Sequence, residues 1–177
     1  MKNQSTKKMI LAALFLALCY LLPFLTGQIP EIGSMLLPMH LPVLLCGFVC
    51  GWPYGLGVGF AAPLLRSVTL GMPPPFPTAV AMAFELAAYG AITGVCYKKL
   101  PKKPLFLYAD LLIAMIGGRV VWGLAMMICL GINGGAFTWT AFLSGAVLSA
   151  IPGMILQLVL VPIVVVVLQK ANLIPKE

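Results

Sequence analysis

The chain is 177 residues long, 62% hydrophobic and 8% charged, and its 11 Lys and Arg against 4 Asp and Glu give a formal charge of +7. A soluble domain carries about 45–50% apolar and about 25% charged residues, so one core of this size cannot hide the apolar side chains and the rest must face lipid. The same balance excludes disorder and argues against a nucleic-acid partner.

A bilayer core of roughly 30 Å calls for about 20 apolar residues per helix, each helix satisfying its own backbone hydrogen bonds. Apolar runs fall at 9–26, 41–52, 54–71, 78–97, 105–131 and 142–169. The first follows a basic stretch in the manner of a signal peptide. It exceeds a typical signal core, and no small-x-small cleavage site follows, so it is expected to remain as the first membrane helix. The second and third runs are separated only by Trp52-Pro53-Tyr54. Pro53 suits the first turn of a new helix and disfavours helix at the residue before it, which predicts a tight turn and six spans rather than five.

The lysines discriminate between those counts. All nine sit in three groups: Lys2, Lys7 and Lys8; Lys98, Lys99, Lys102 and Lys103; Lys170 and Lys176. Six spans place every group on one side, cytoplasmic by the positive-inside rule, whereas five would set the first group opposite the others. The expected architecture is an all-α integral membrane protein, a single six-helix domain over 1–177 with both termini cytoplasmic.

On this topology three loops face outside. Residues 27–41 hold Gln28, Glu31, Ser34 and His40 with two prolines, residues 71–78 are too proline-rich to be helical, and residues 132–140 join turn glycines to Phe137 and Trp139. Three semi-apolar loops on one side are expected to cap a ligand pocket.

Charges inside a membrane are costly and by default mark function. Arg66 lies near the outer end of the third run, Glu85 about two turns into the fourth, and Arg119 near the middle of the fifth. For Arg66 and Glu85 two readings stay open: a salt bridge tying spans three and four together, or contact with a ligand. Arg119 has no obvious partner except Glu85, which makes it the better candidate for an anionic ligand group. Asp110 is near the lysine-rich hinge and is expected to pair there. Asn133, Gln157, Trp122 and His40 would complete a pocket of mixed character.

No catalytic set emerges. There is no HExxH, GxSxG or Walker A motif and no useful carboxylate pair, so no enzyme activity, metal or cofactor is expected and any pumping must be powered from elsewhere. The five cysteines all lie in apolar runs and read as small packed hydrophobes. Ala13-xxx-Ala17, Gly51-xxx-Gly55-xxx-Gly59 and Gly90-xxx-Gly94 are patterns that let helix backbones approach closely.

The stretch Pro38-Met-His-Leu-Pro-Val-Leu-Leu-Cys-Gly-Phe-Val-Cys-Gly51 continues as Trp52-Pro-Tyr-Gly-Leu-Gly-Val-Gly-Phe60 and Ala61-Ala-Pro-Leu-Leu-Arg66. With the length and span pattern, it resembles the substrate-binding S components of energy-coupling factor (ECF) vitamin transporters, most of all their pantothenate-type members. The resemblance implies a bacterial cytoplasmic-membrane subunit that binds a small vitamin and works with a transmembrane T component and two cytoplasmic ATPases. It also implies that Ala13 and Ala17 dock the first helix onto the T component. An S component for another vitamin (riboflavin, folate or pyridoxine) and a structural membrane protein of the rod-complex type are the alternatives.

Overall fold

The structure, a computed structural model, describes residues 2–26, 29, 32, 35–101, 103–132 and 138–171. Among them every regular element is helical. The helices are α1 (Lys2–Leu21), α2 (His40–Cys50), α3 (Trp52–Leu70), α4 (Val80–Lys99), α5 (Pro104–Ile132), the short α6 (Trp139–Leu143) and α7 (Ile151–Lys170). Four helical segments are long and apolar enough to cross a membrane: Gln4–Leu25, Pro75–Lys99, Leu105–Ile132 and Ile151–Lys170. Their outward side chains, among them Ile10, Leu14, Ile116, Ile128, Ile155 and Ile163, are large, apolar and exposed, as a lipid-facing surface requires.

The helix ends follow from local chemistry. The α2–α3 turn is at Gly51, whose φ of 91° and ψ of 173° suit glycine alone, and Pro53 occupies the first turn of α3. The tight turn read from Pro53 is therefore present. At the far end of α3, Gly71 takes the left-handed conformation (φ 71°) and its N–H closes on the Ser67 carbonyl at 2.9 Å. The sixth apolar run, expected as one helix over 142–169, is instead broken: α6, a wide turn over Ser144–Leu148, then α7 from Ile151. Pro152 in the first turn of α7 has no N–H to donate backward, and its ring excludes the carbonyl four residues before it.

Helix α4 is the centre of the bundle, packing on α2, α3 and α5. Glycines make this possible. A Cβ on Gly55 would stand 2.6 Å from the Gly90 carbonyl oxygen, and one on Gly47 would stand 2.8 Å from the same oxygen. Cβ atoms on Gly59 and Gly94 would collide with the backbone at Leu86 and Trp52. The repeated glycines of α3 and α4 are thus one backbone-to-backbone seam. At the other end of α4, the Tyr97 hydroxyl accepts a 2.8 Å bond from Gln169 Nε2, tying α4 to α7.

At 11 residues, α2 is only about 16 Å long, half of what a span needs. Its first residue, His40, is consequently drawn into the interior. Before it, Leu37 adopts a φ of 50° and accepts the His40 N–H at 3.0 Å, a sharp turn that fixes the entry into α2.

Candidate functional site

Three helices deliver charged or ionisable groups to one point. His40 opens α2, Glu85 is the sixth residue of α4, and Arg119 is midway along α5. The Arg119 Nη1 atom is 2.9 Å from Glu85 Oε1, and His40 Nε2 is 3.3 Å from the same oxygen. His40 and Glu85 are each 1% exposed and Arg119 is 9% exposed. Taking such charges out of water costs several kcal/mol per ion, by order of magnitude, which their attraction offsets only when the geometry is good. Function is the usual reason to keep them.

The cluster is only half satisfied. Arg119 Nε and Nη2, the edge of the guanidinium turned away from the Glu85 contact, are buried without a hydrogen-bond partner. Tyr89, one turn after Glu85 on α4, is fully buried and its O–H has no acceptor. Its ring meets His40 edge-on, with centroids 5.0 Å apart at 88°, and its hydroxyl lies near Glu85 and in hydrogen-bonding position to Arg119. Gly118 makes room for this, because a Cβ there would run into the Tyr89 ring. Sequence reasoning did not single out Tyr89. Its four-residue offset from Glu85, which puts both on one helix face, was the available signal.

The remaining expected site residues are scattered. Gln157 of α7 is fully buried with both amide atoms unpartnered, so it is a second hydrogen-bonding resource in the interior. Trp122, one turn beyond Arg119, joins an aromatic group with Phe142 (centroids 6.4 Å) while Trp139 stacks on Phe142 at 5.3 Å. Asn133 lies outside the described residues.

Arg66 stands apart from the cluster. Its Nη1 donates to the Tyr20 carbonyl at 2.7 Å, and its guanidinium is 5.9 Å from the Tyr20 ring and 5.2 Å from the Phe24 ring. The Arg66–Glu85 salt bridge considered from the sequence is not formed: Arg66 faces the end of α1, whereas Glu85 faces α2 and α5. Asp110 likewise has no ion pair with a described lysine. It is buried with both carboxylate oxygens unpartnered, near Cys96 and Tyr97 at the inner end of α4.

A membrane-embedded bundle with a buried, partly unsatisfied charge cluster has the chemistry of a polar-ligand site. The model of one family, the substrate-specific component of ECF transporters, matches residues 7–165. The chain belongs to that family. Comparison with curated proteins and with solved structures gives no match. This ECF component is therefore a multi-pass membrane protein that supplies substrate specificity to a transporter, and the alternative of a rod-complex scaffold falls. As a member, it is a binding subunit for a small molecule, working with a T component and ATPases.

Proposed function

We propose that this ECF component is the high-affinity capture subunit of an ATP-driven importer for a small anionic vitamin in the bacterial cytoplasmic membrane, with pantothenate the best fit. The observation that carries this reading is the buried His40–Glu85–Arg119 cluster, in which one edge of Arg119 is held and the other has unused donors. A guanidinium with a free edge suits a carboxylate. Gln157, Trp122 and Asn133 would contact the rest of the ligand, and Arg66 serves the α1–α3 seam instead.

The chain forms one domain over 1–177 with six spans, the short α2 and α3 being the second and third, joined by the tight turn at Gly51. The three lysine groups support a topology with both termini in the cytoplasm. The outer loops cap the pocket, and the first of them rests on α7, since a Cβ at Gly153 would stand 2.6 Å from the Met35 carbonyl oxygen. Ala13 and Ala17 are on the outward face of α1, opposite the buried Ala12, Phe15 and Cys19, and dock the T component, which with two ATPases powers transport.

Thermal unfolding of the purified protein against a panel of water-soluble vitamins tests the reading. A true substrate at about 100 times its Kd adds about 2.7 kcal/mol of stability. Stabilisation by pantothenate supports the assignment, stabilisation by a different vitamin reassigns the substrate, and a flat panel removes the vitamin reading.

A further inference from the structure

Resting on that reading, the geometry points to a second ligand-binding group, the Tyr89 hydroxyl, which together with the Nε–Nη2 edge of Arg119 grips a carboxylate and makes the protein select acids over their neutral counterparts.

Glu85 takes Arg119 from the Nη1 side, at 2.9 Å. That leaves Nε–H and the neighbouring Nη2–H, two parallel donors whose spacing matches the two oxygens of a carboxylate. Both atoms are buried and unpartnered. Buried donors in native proteins are almost always satisfied, and leaving one unmade costs the full desolvation penalty. The Tyr89 hydroxyl oxygen is placed to accept from the same guanidinium, which leaves its O–H without an acceptor and able to donate to either carboxylate oxygen. The Arg119 edge and the Tyr89 O–H, carried by adjoining helices, are thus donors side by side that an acceptor-only group would satisfy.

The framework around the hydroxyl is rigid. The Tyr89 ring is held edge-on against His40 on one side and close over Gly118 on the other. A hydroxyl fixed this way needs no reordering when the ligand enters, so its bond contributes to affinity without a large entropic loss. A neutral amide or alcohol in place of the carboxylate offers at most one good acceptor and places its own donor against Arg119. Rejection of that group is the expected result of leaving buried polar atoms unpaired.

The test uses matched pairs on the purified full-length protein by isothermal titration: pantothenate with pantothenol, nicotinate with nicotinamide, and biotin with biotinamide. For the pair that binds, the acid should bind at least tenfold more tightly than its neutral partner. Tyr89→Phe should weaken the acid roughly tenfold to a hundredfold, the range of a hydrogen bond to a charged group, and leave the neutral partner within about twofold. Arg119→Lys, which keeps a cation beside Glu85 but loses the two-pronged edge, should narrow the acid preference in the same way. Acid and neutral partners binding equally, or both variants retaining full affinity for the acid, would overturn the Tyr89 assignment while leaving vitamin capture intact. Binding of none of the acids would remove both this inference and the anionic-substrate reading beneath it.

Discussion

Arg66 and Arg119 have the same side chain and similar burial, 3% and 9% exposed, but the α1–α3 seam and the α2–α4–α5 centre use them differently. Arg66 meets a backbone carbonyl in the last turn of α1 and two aromatic rings. α1 runs on into a short 3-10 turn over Leu22–Thr26, and a guanidinium brought from α3 to the Tyr20 carbonyl ties the two helices together where α1 tightens. Arg119 meets a buried carboxylate on one edge and no partner on the other. A buried cation bonded to backbone and packed on two rings reads as structure, and one with buried donors left without a partner reads as a site. Burial alone does not separate the two, but the count of unspent donors does.

The largest effect should come from breaking the central pair. Glu85→Leu leaves Arg119 buried and unbalanced, and removing one partner of a buried ion pair costs about 3–5 kcal/mol. Reversible denaturation in detergent should record that loss, and the Glu85→Leu/Arg119→Leu double variant should recover most of it while binding no ligand. If the double variant is as unstable as the single one, the pair is not what holds the centre together.

Next is the glycine under Tyr89. Gly118→Ala puts a Cβ into the aromatic ring, and overpacking of this kind costs about 1–3 kcal/mol. Ligand affinity should fall with it, because the ring must move. Gly57 on α3 has nothing within 4 Å of an added Cβ, so Gly57→Ala should change stability by less than about 1 kcal/mol and leave binding alone. Equal responses at the two positions would mean that the centre is no more tightly built than the outward face of α3.

These contrasts show what was legible in the sequence. The apolar runs and Pro53 led to the long helices and the Gly51 turn, because length and proline chemistry act locally. Glu85 and Arg119 stood out since a charge in an apolar run has so few innocent explanations. What was not legible was direction. The depth of Arg66 and Glu85 was readable, which made their pairing plausible, but the face each presents depends on how α3 and α4 cross at Gly55 and Gly90. His40 read as a loop residue because α2 is too short to be recognised as the element that carries it inward. Tyr89 was invisible for a different reason: an aromatic in an apolar helix looks like packing until its O–H is seen without an acceptor. The break before α7 was missed because Pro152 lies inside a run that remains apolar on both sides.

At the seam, Arg66→Ala removes the bond to the Tyr20 carbonyl and the contact with two rings, together worth about 1–2 kcal/mol. Ligand affinity should stay within about twofold, measured by the same titration that reads the Tyr89 variant. A loss comparable to that of Arg119→Lys would place Arg66 in the ligand site and erase the distinction between the two arginines.

The smallest effect isolates which part of Tyr20 the seam uses. Its hydroxyl donates to Thr69 Oγ1 at 3.0 Å, and Thr69 Oγ1 in turn donates to the Leu65 carbonyl at 2.8 Å, both at exposed positions. Tyr20→Phe deletes only the first of these bonds. The backbone carbonyl that Arg66 bonds is untouched, the ring beside the guanidinium remains, and Thr69 keeps its bond within α3. An exposed neutral hydrogen bond contributes about 0.5–1 kcal/mol, so the variant should lose no more than that and less than Arg66→Ala. A Tyr20→Phe loss as large as that of Arg66→Ala would mean that α1 is fastened through the Tyr20–Thr69 hydroxyls, with the arginine merely filling space between them. The smaller loss places the fastening in the bond from Arg66 to the Tyr20 carbonyl.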